Sequence, residues 1–99
     1  MRIAICEDNQ AHANILKGMV QKWAETEKIK ADVSHYESAE QFLFYWEKAG
    51  KYDLIFLDIR MNKMDGMELA QYIRRQDRAV FIIFTTGILE YALRGYEVS

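Results

Sequence analysis

Two short apolar runs of the sequence each end in acidic side chains. The run from Ile3 to Cys6 leads into Glu7 and Asp8, and the run from Leu54 to Leu57 leads into Asp58. Ligands of open parallel α/β sheets bind outside the carboxyl ends of the strands, where the strand order reverses. If the two runs are neighbouring strands of such a sheet, the three carboxylates share one acidic pocket.

Three carboxylates in one pocket repel one another and favour a bound cation. A like-charged pair about 4 Å apart costs on the order of 4 kcal/mol at an effective dielectric near 20, so either one acid is protonated or a cation binds. An all-oxygen site suits Mg²⁺, and a carboxylate beside the metal can attack phosphorus as a nucleophile. Asp58, alone at its strand end, is the candidate nucleophile, while Glu7 and Asp8 would position the ion. Otherwise the acids only mark solvated strand ends or cap helices.

Other polar residues near these strand ends give weaker signals. Thr85 and Thr86 end the apolar run from Ala79 to Phe84, where a hydroxyl could donate to a bound phosphoryl oxygen. His12 lies about one helical turn beyond the acidic pair, and we expect it to face solvent. His35 sits in a polar segment and receives no role.

The composition is that of a small globular domain. The chain has 99 residues, of which 51% are hydrophobic and 28% charged, and its net charge of −2 argues against binding nucleic acid by charge alone. No apolar run is long enough to span a membrane and no signal-peptide pattern opens the chain, so a cytoplasmic location is expected. Cys6, the only cysteine, is predicted to be a core side chain.

Strand and helix signals alternate along the chain, with no repeat, linker or domain boundary. The first helix follows a cap at Asn9, and its predicted inner stripe is Leu16, Met19, Val20 and Trp23, spaced i, i+3, i+4, i+7. The order βαβαβαβα predicts a parallel sheet with helices on both faces. Strands are predicted at Ile3 to Cys6, Lys30 to Tyr36, Leu54 to Leu57 and Ala79 to Phe84; later helices follow a capping box of Ser38 and Gln41, run from Met67 to Arg75, and run from Leu89 to Arg94.

The last predicted strand has no polar face, which is typical of an interior strand that is paired on both sides. Only fifteen residues follow Phe84, enough for a helix but hardly for a further strand as well. We therefore expect a truncated domain that lacks its last strand and helix. The edge from Val80 to Phe84 would then be exposed and hydrophobic, and we expect a homodimer or a strand-swapped oligomer through it.

Together, the acidic residues and their neighbours resemble the receiver domain of two-component response regulators. The segment from Glu90 to Val98 is similar to the subgroup whose receivers precede a LytTR-type DNA-binding domain. The resemblance covers the whole chain. The segments that support it are Glu7-Asp8, Leu57-Asp58-Ile59-Arg60-Met61 with Gly66 eight residues past Asp58, and Phe84-Thr85-Thr86.

The resemblance implies a flavodoxin-like (CheY-like) α/β fold, a doubly wound parallel sheet of strand order 2-1-3-4. Residues 1–99 would be one receiver domain without its fifth strand and last helix. Asp58 would accept a phosphoryl group from a sensor histidine kinase, and Thr86 would be the switch hydroxyl. Asp8, Asp58 and the Arg60 backbone carbonyl would hold Mg²⁺, with Glu7 acting through water. Such a domain regulates and is at most a weak autophosphatase, and it reaches DNA only through an output domain.

Two positions depart from the family pattern. Asn62 replaces the usual proline after Met61, which is expected to change loop stiffness mildly. The family's lysine at the end of the fifth strand, and its aromatic switch position, have no counterpart before Ser99. Without that cation, phosphoryl transfer is expected to be impaired and the conformational readout lost.

Two other classes of protein remain as alternatives. A Mg²⁺-dependent phosphohydrolase of the haloacid-dehalogenase type also uses an aspartyl nucleophile, but its Asp-x-Asp-x-Thr/Val motif would require an aspartate at the position of Arg60. An interaction module with a vestigial acidic pocket would work through the sheet edge instead. The presence of all three acids and of Thr86 argues against this last interpretation.

Overall fold

A computed structural model describes residues 1–61 and 64–86 of the chain. The described strands are all paired in parallel and lie in the order β2-β1-β3-β4. The predicted fold class, an α/β doubly wound sheet of order 2-1-3-4, is confirmed. The strands are Arg2–Cys6 (β1), Asp32–Tyr36 (β2), Leu54–Asp58 (β3) and Phe81–Thr86 (β4), and the helices are Gln10–Thr26 (α1), Ala39–Ala49 (α2) and Gly66–Gln76 (α3).

Polar side chains cap the start of each described helix. The side chains of Asn9, Ser38 and Asp65 each accept a hydrogen bond from the backbone N–H three residues later. Gly50 ends α2 with a φ of 80°, a conformation that costs other residues more than it costs glycine. The caps predicted at Asn9 and Ser38 are confirmed, whereas the helix predicted from Leu89 to Arg94 lies outside the described residues.

The last strand is shifted along the sequence from its predicted position. The apolar run from Ala79 to Phe84 predicts the strand, but β4 begins at Phe81 and continues to Thr86. The backbone N–H groups of Ala79 and Val80 donate to the Asp77 carboxylate, at 2.9 and 3.3 Å. These bonds hold Ala79 and Val80 in a turn, which keeps them out of the ladder.

One face of the sheet is covered by α2 and α3 and contains the main core. Along β3, Ile55 and Leu57 point into this core, because successive strand residues face opposite sides. Phe42 from α2 is buried at its centre, and Met67 and Ile73 of α3 are buried as the sequence predicted. The buried members of this cluster are Ala4, Cys6, Tyr36, Ala39, Phe42, Tyr52, Ile55, Leu57, Met61, Leu69, Ala70, Ile73 and Val80.

The other face is covered only in part by α1. Val20 is buried as predicted, but Met19 is 64% and Trp23 43% exposed, so these two residues of the predicted inner stripe are not buried by the described residues. The stripe is apolar, yet the described residues do not cover all of it. It borders a groove of about 330 Å³ that is lined by Leu16, Met19, Val20, Trp23, Leu54, Phe56 and Ile83.

The outer edge of β4 is open within the described part of the chain. Among the described strands, β4 pairs with β3 alone. Phe81 is 73% exposed there, and Ile83 is also exposed. This is the exposed hydrophobic edge that the sequence predicts.

Among the described helices, none combines the length and the apolar character that crossing a bilayer requires.

Candidate functional site

Three carboxylates converge at the carboxyl edge of the sheet. Glu7, Asp8 and Asp58 each offer an oxygen, and these oxygens all lie within 4.8 Å of one another. Glu7 and Asp58 are buried, whereas Asp8 is exposed. Within the described residues, these three form the one cluster of acidic, histidine or cysteine side chains with metal-ligand spacing. The sequence predicts this convergence, and the structure shows it.

The register of the two central strands brings the acids level. Cys6 of β1 lies opposite Leu57 of β3, so Glu7 and Asp58 follow at the same height of the sheet. The chain leaves β1 for β2 on one side and later enters β3 on the other, so the strand order reverses between β1 and β3. This is the position at which open α/β sheets bind their ligands.

Burial and crowding raise the pKa of Glu7 from its ordinary value of 4.5 to about 8. The largest cause is removal of the carboxyl group from water, followed by its hydrogen bond with Asp58. The Asn9 backbone N–H donates to Glu7 Oε2 at 3.1 Å and opposes this shift in pKa. At neutral pH and without a cation, Glu7 therefore keeps a proton, which offsets the repulsion between the two buried acids.

The donor set fits a hard divalent cation. All three side chains offer oxygen, and the raised pKa of Glu7 reflects the cost of placing a second negative charge beside Asp58. A divalent ion would replace the Glu7 proton with a larger positive charge. Mg²⁺ prefers such oxygen ligands and usually takes only one or two carboxylates, keeping several waters.

The backbone that follows Asp58 folds back onto its carboxylate. The Arg60 N–H donates to Asp58 Oδ1 at 3.1 Å, which fixes the rotamer of the candidate nucleophile. Arg60 thus lies directly beside the acidic pocket. The role of its backbone carbonyl as a metal ligand stays a prediction.

Gly66 allows the first turn of α3 to pack against the end of β3. Its N–H donates to the Ile59 carbonyl at 2.9 Å. A Cβ on Gly66 would lie 2.4 Å from the Asp58 carbonyl oxygen and 2.8 Å from Ile59 Cα, closer than packed atoms approach. In the sequence, only the spacing of Gly66 from Asp58 draws attention to it. The structure explains why a glycine lies there, because a side chain would meet the backbone of Asp58 and Ile59.

The two threonines at the end of β4 differ in their positions. A register shift places Phe84 opposite Leu57 but Thr86 opposite Asp58. The Thr85 hydroxyl donates to the Leu57 carbonyl at 3.3 Å, so it is engaged within the sheet. The backbone of Thr86 is level with Asp58, as a switch hydroxyl would require. The side chain of Thr86 lies outside the described part of the structure.

Both histidines approach Glu7. His12 is 59% exposed, as expected for a solvent-facing helical residue, and its Nδ1 lies 3.8 Å from Glu7 Oε1. His35, for which the sequence gives no role, places its Nε2 2.8 Å from the Glu7 carbonyl oxygen. This contact depends on the pairing of β1 with β2, which the local sequence pattern does not reveal.

The fold and the acidic pocket define a doubly wound α/β domain with a candidate cation site at its carboxyl edge, and comparison with known proteins identifies the family. Residues 3–98 match the family model described as response regulator receiver domain. The chain belongs to this family, as the sequence resemblance predicts.

Curated relatives come from bacterial signalling systems. Sensory transduction protein LytR of Staphylococcus saprophyticus is 32% identical over 99 residues, covering 100% of this chain and 37% of that protein. Sensory transduction protein LytT of Bacillus anthracis is 24% identical over 99 residues, covering 100% of this chain and 38% of that protein. The chain thus spans less than two-fifths of the length of these relatives.

Solved structures show the same fold. The response regulator TrrA of Thermotoga maritima, in complex with Mg²⁺-BeF, has a TM-score of 0.73 and 29% identity, covering 87% of this chain and 69% of that one. A complex of histidine kinase ThkA with TrrA contains a chain with a TM-score of 0.64 and 30% identity, covering 84% of this chain and 66% of that one. Both similarities support the fold class and the family.

Proposed function

We propose that this chain is the phospho-acceptor domain of a two-component response regulator. It would accept a phosphoryl group on Asp58 in the presence of Mg²⁺. Residues 1–99 would all belong to one receiver domain. The supporting observation is the convergence of Glu7, Asp8 and Asp58 at the point of a receiver fold where the strand order reverses. The donor would be a phosphohistidine of a sensor histidine kinase, since a related regulator forms a complex with such a kinase. The domain regulates, and at most it hydrolyses its own acyl phosphate.

In the proposed transfer, an Asp58 carboxylate oxygen supplies the electron pair for a new O–P bond. The P–N bond of the donor breaks, and its electron pair returns to the histidine ring nitrogen. The Arg60 N–H orients the Asp58 carboxylate, while Asp8, Asp58 and the Arg60 carbonyl would hold the cation, with Glu7 acting through water. Mg²⁺ would neutralise charge on the transferred group. Thr86, level with Asp58, would then contact the bound phosphoryl group and report its presence.

The output is proposed to reside elsewhere in a longer protein. The chain spans 37% of LytR and 38% of LytT, so most of each of these relatives lies outside the matched region. Another relative is named transcriptional regulatory protein RprY, from Bacteroides fragilis, and is 30% identical over 101 residues. We propose that any contact with DNA is made by such an output domain, and that the protein acts in the cytoplasm.

Phosphorylation by a small-molecule donor tests the proposal directly. Incubation with acetyl phosphate and Mg²⁺ should add the mass of one phosphoryl group to a fraction of the wild-type chains, since transfer is expected to be impaired. Asp58→Asn should abolish this addition, because the amide lacks the nucleophilic oxygen anion. The matched control is Asp32→Asn, at the opposite end of the sheet, which should be phosphorylated like the wild type. Equal labelling of Asp58→Asn, or no labelling of any variant, would contradict the proposal.

A second function, self-association through the β4 edge, is favoured by a separate observation. The exposed side chains of Phe81 and Ile83 flank an edge that has no partner among the described strands. Edge strands of this kind pair readily with other chains. We propose that two copies join there as a homodimer or strand-swapped oligomer, which needs no phosphorylation.

Sedimentation at increasing concentration tests the self-association. Ile83→Lys should shift the chain toward the monomer, because a charge on the edge opposes strand pairing. Phe44→Lys is the control, since Phe44 is equally apolar and 65% exposed but lies on α2. A wild-type chain that stays monomeric throughout, or a Phe44→Lys variant that dissociates as much as Ile83→Lys, would rule out this interface.

A further inference from the structure

The segment formed by β2 and α2 supplies no carboxylate to the acidic cluster, yet it reaches both loops that do. His35 of β2 contacts the Glu7 carbonyl, and Glu40 of α2 contacts the Met64 backbone N–H. These two residues are five positions apart in the sequence, on either side of the Ser38 cap. One short stretch of chain therefore touches the acidic loop after β1 and the phosphoacceptor loop after β3.

His35 holds the first of these loops through its ring. The Glu7 carbonyl oxygen can only accept, so the Nε2 atom of His35, 2.8 Å away, is the donor. The Glu7 N–H in turn donates to the Tyr36 carbonyl at 3.0 Å. Both backbone groups of Glu7 are thereby tied to β2, which leaves its side chain to face Asp58.

Glu40 contacts the second loop at Met64, shortly before α3 begins. The start of that loop is fixed by the Arg60 N–H on Asp58, and its last residues are fixed by the Gly66 N–H on Ile59. Between these points, the Met64 N–H donates to Glu40 Oε2 at 3.2 Å. A hydrogen bond to a carboxylate is stronger than one between neutral groups. Because Glu40 is exposed, a water molecule could accept the hydrogen bond of the Met64 N–H equally well. The main effect of the contact is therefore to position the loop, since no buried donor needs it.

We propose that His35 and Glu40 are positioning residues that hold the two loops of the cation site in register. Neither residue is a ligand or touches a reacting group. Their hydrogen bonds restrict the loops that present Glu7, Asp58 and the Arg60 carbonyl, so that the site loses less freedom when a cation binds. This inference rests on the proposed Mg²⁺ site and assigns it a supporting shell.

Substitution of Glu40 by two residues of equal length separates the hydrogen bond from charge and helix propensity. Glu40→Gln keeps an acceptor oxygen, whereas Glu40→Met has none, and both remove the charge and suit a helix. Titration calorimetry with MgCl₂ should give a Kd about tenfold weaker for Glu40→Met, a loss typical of residues that orient metal ligands. Glu40→Gln should bind Mg²⁺ close to the wild-type Kd.

His35 allows the same comparison. His35→Gln keeps an N–H donor of similar reach, and His35→Phe keeps the ring shape without any donor. His35→Phe should weaken Mg²⁺ binding by a similar factor, and His35→Gln should restore most of it. Combining His35→Phe with Glu40→Met should multiply the two losses, since each residue holds a different loop.

Melting temperatures in chelator serve as the control for folding. Glu40→Met and Glu40→Gln should melt within a degree or so of each other, so that any difference in Kd reflects the site. Glu47→Met, an exposed change of the same kind on α2, should leave the Mg²⁺ Kd unchanged. Absence of Mg²⁺ binding by the wild type would contradict the proposed function itself. If the wild type binds Mg²⁺ but Glu40→Met and Glu40→Gln have equal Kd values, only the positioning role of Glu40 would be contradicted.

Discussion

The two faces of the sheet differ in how completely they are covered. The face under α2 and α3 has a continuous buried core, in which Ile55 and Leu57 are fully excluded from water. The face under α1 has an open apolar groove, beside which Ile83 is 46% exposed. The same contrast holds within β3, where Phe56, between Ile55 and Leu57, lines the groove. The covered face stabilises the domain, whereas the described residues leave part of the other face uncovered.

The acidic site lies where these two faces meet. Asp58 ends the strand that carries the covered core, whereas Glu7 also borders a small pocket on the α1 side, of about 180 Å³. The buried core beneath β3 restricts the position of Asp58. The pocket beside Glu7, which His12 and Thr85 also line, leaves that side of the Glu7 carboxyl group accessible. The asymmetry thus suits a site that must be both ordered and reachable.

Two isoleucine truncations measure the asymmetry most directly, and the one on the covered face should have the largest effect. Ile55→Ala on the covered face should lower the free energy of unfolding by about 2–5 kcal/mol, since it leaves a cavity in a closed core. Ile83→Ala on the open face should cost at most about 1 kcal/mol, because that side chain is already half in water. Urea unfolding followed by circular dichroism at low protein concentration provides both values. Equal losses would mean that both faces are covered alike.

The acidic site should make stability depend on pH when no divalent ion is present. Folded Glu7 keeps its proton up to about pH 8, whereas the unfolded side chain releases it near 4.5. The folded state therefore binds more protons between these values, and stability falls as the pH rises through this window. The expected loss is on the order of 2 kcal/mol between about pH 5 and about pH 7.

Melting temperatures in chelator across this pH range test the dependence. Glu7→Gln cannot titrate and should flatten the decline. Addition of MgCl₂ to the wild type should raise the melting temperature most at the alkaline end, where the cation no longer competes with the proton. A wild-type curve that rises with pH over this window would show that Glu7 is ionised in the folded state.

Substitutions at two glycines should change stability in opposite directions. Gly66→Ala near the site should destabilise the fold by about 1–3 kcal/mol, because its Cβ would meet the backbone of Asp58. Gly18→Ala on α1 meets nothing within 4 Å and should stabilise by about 0.5–1 kcal/mol. Thermal unfolding of both variants is sufficient. Destabilisation by Gly18→Ala would show that the α1 surface is already occupied.

Much of the fold and the proximity of the acids could be predicted from local patterns. The caps at Asn9 and Ser38 and the runs that became β1 and β3 are signalled by side-chain type and spacing alone. The shift of β4 could not be predicted in this way. It depends on the Asp77 carboxylate, which captures two backbone N–H groups that an apolar run would otherwise assign to the strand.

The order of residue types determined which side chains reach the carboxyl edge, because parallel strands all end at the same side of a sheet. Only the tertiary structure decided how deeply those side chains are buried and what touches them. The raised pKa of Glu7, the reach of His35 and Glu40 across separate loops, and the exposure of Met19 and Trp23 all arise this way. A periodic pattern shows which surface of an element is apolar. Burial, and hydrogen bonds between residues distant in sequence, depend on what packs against that surface in space.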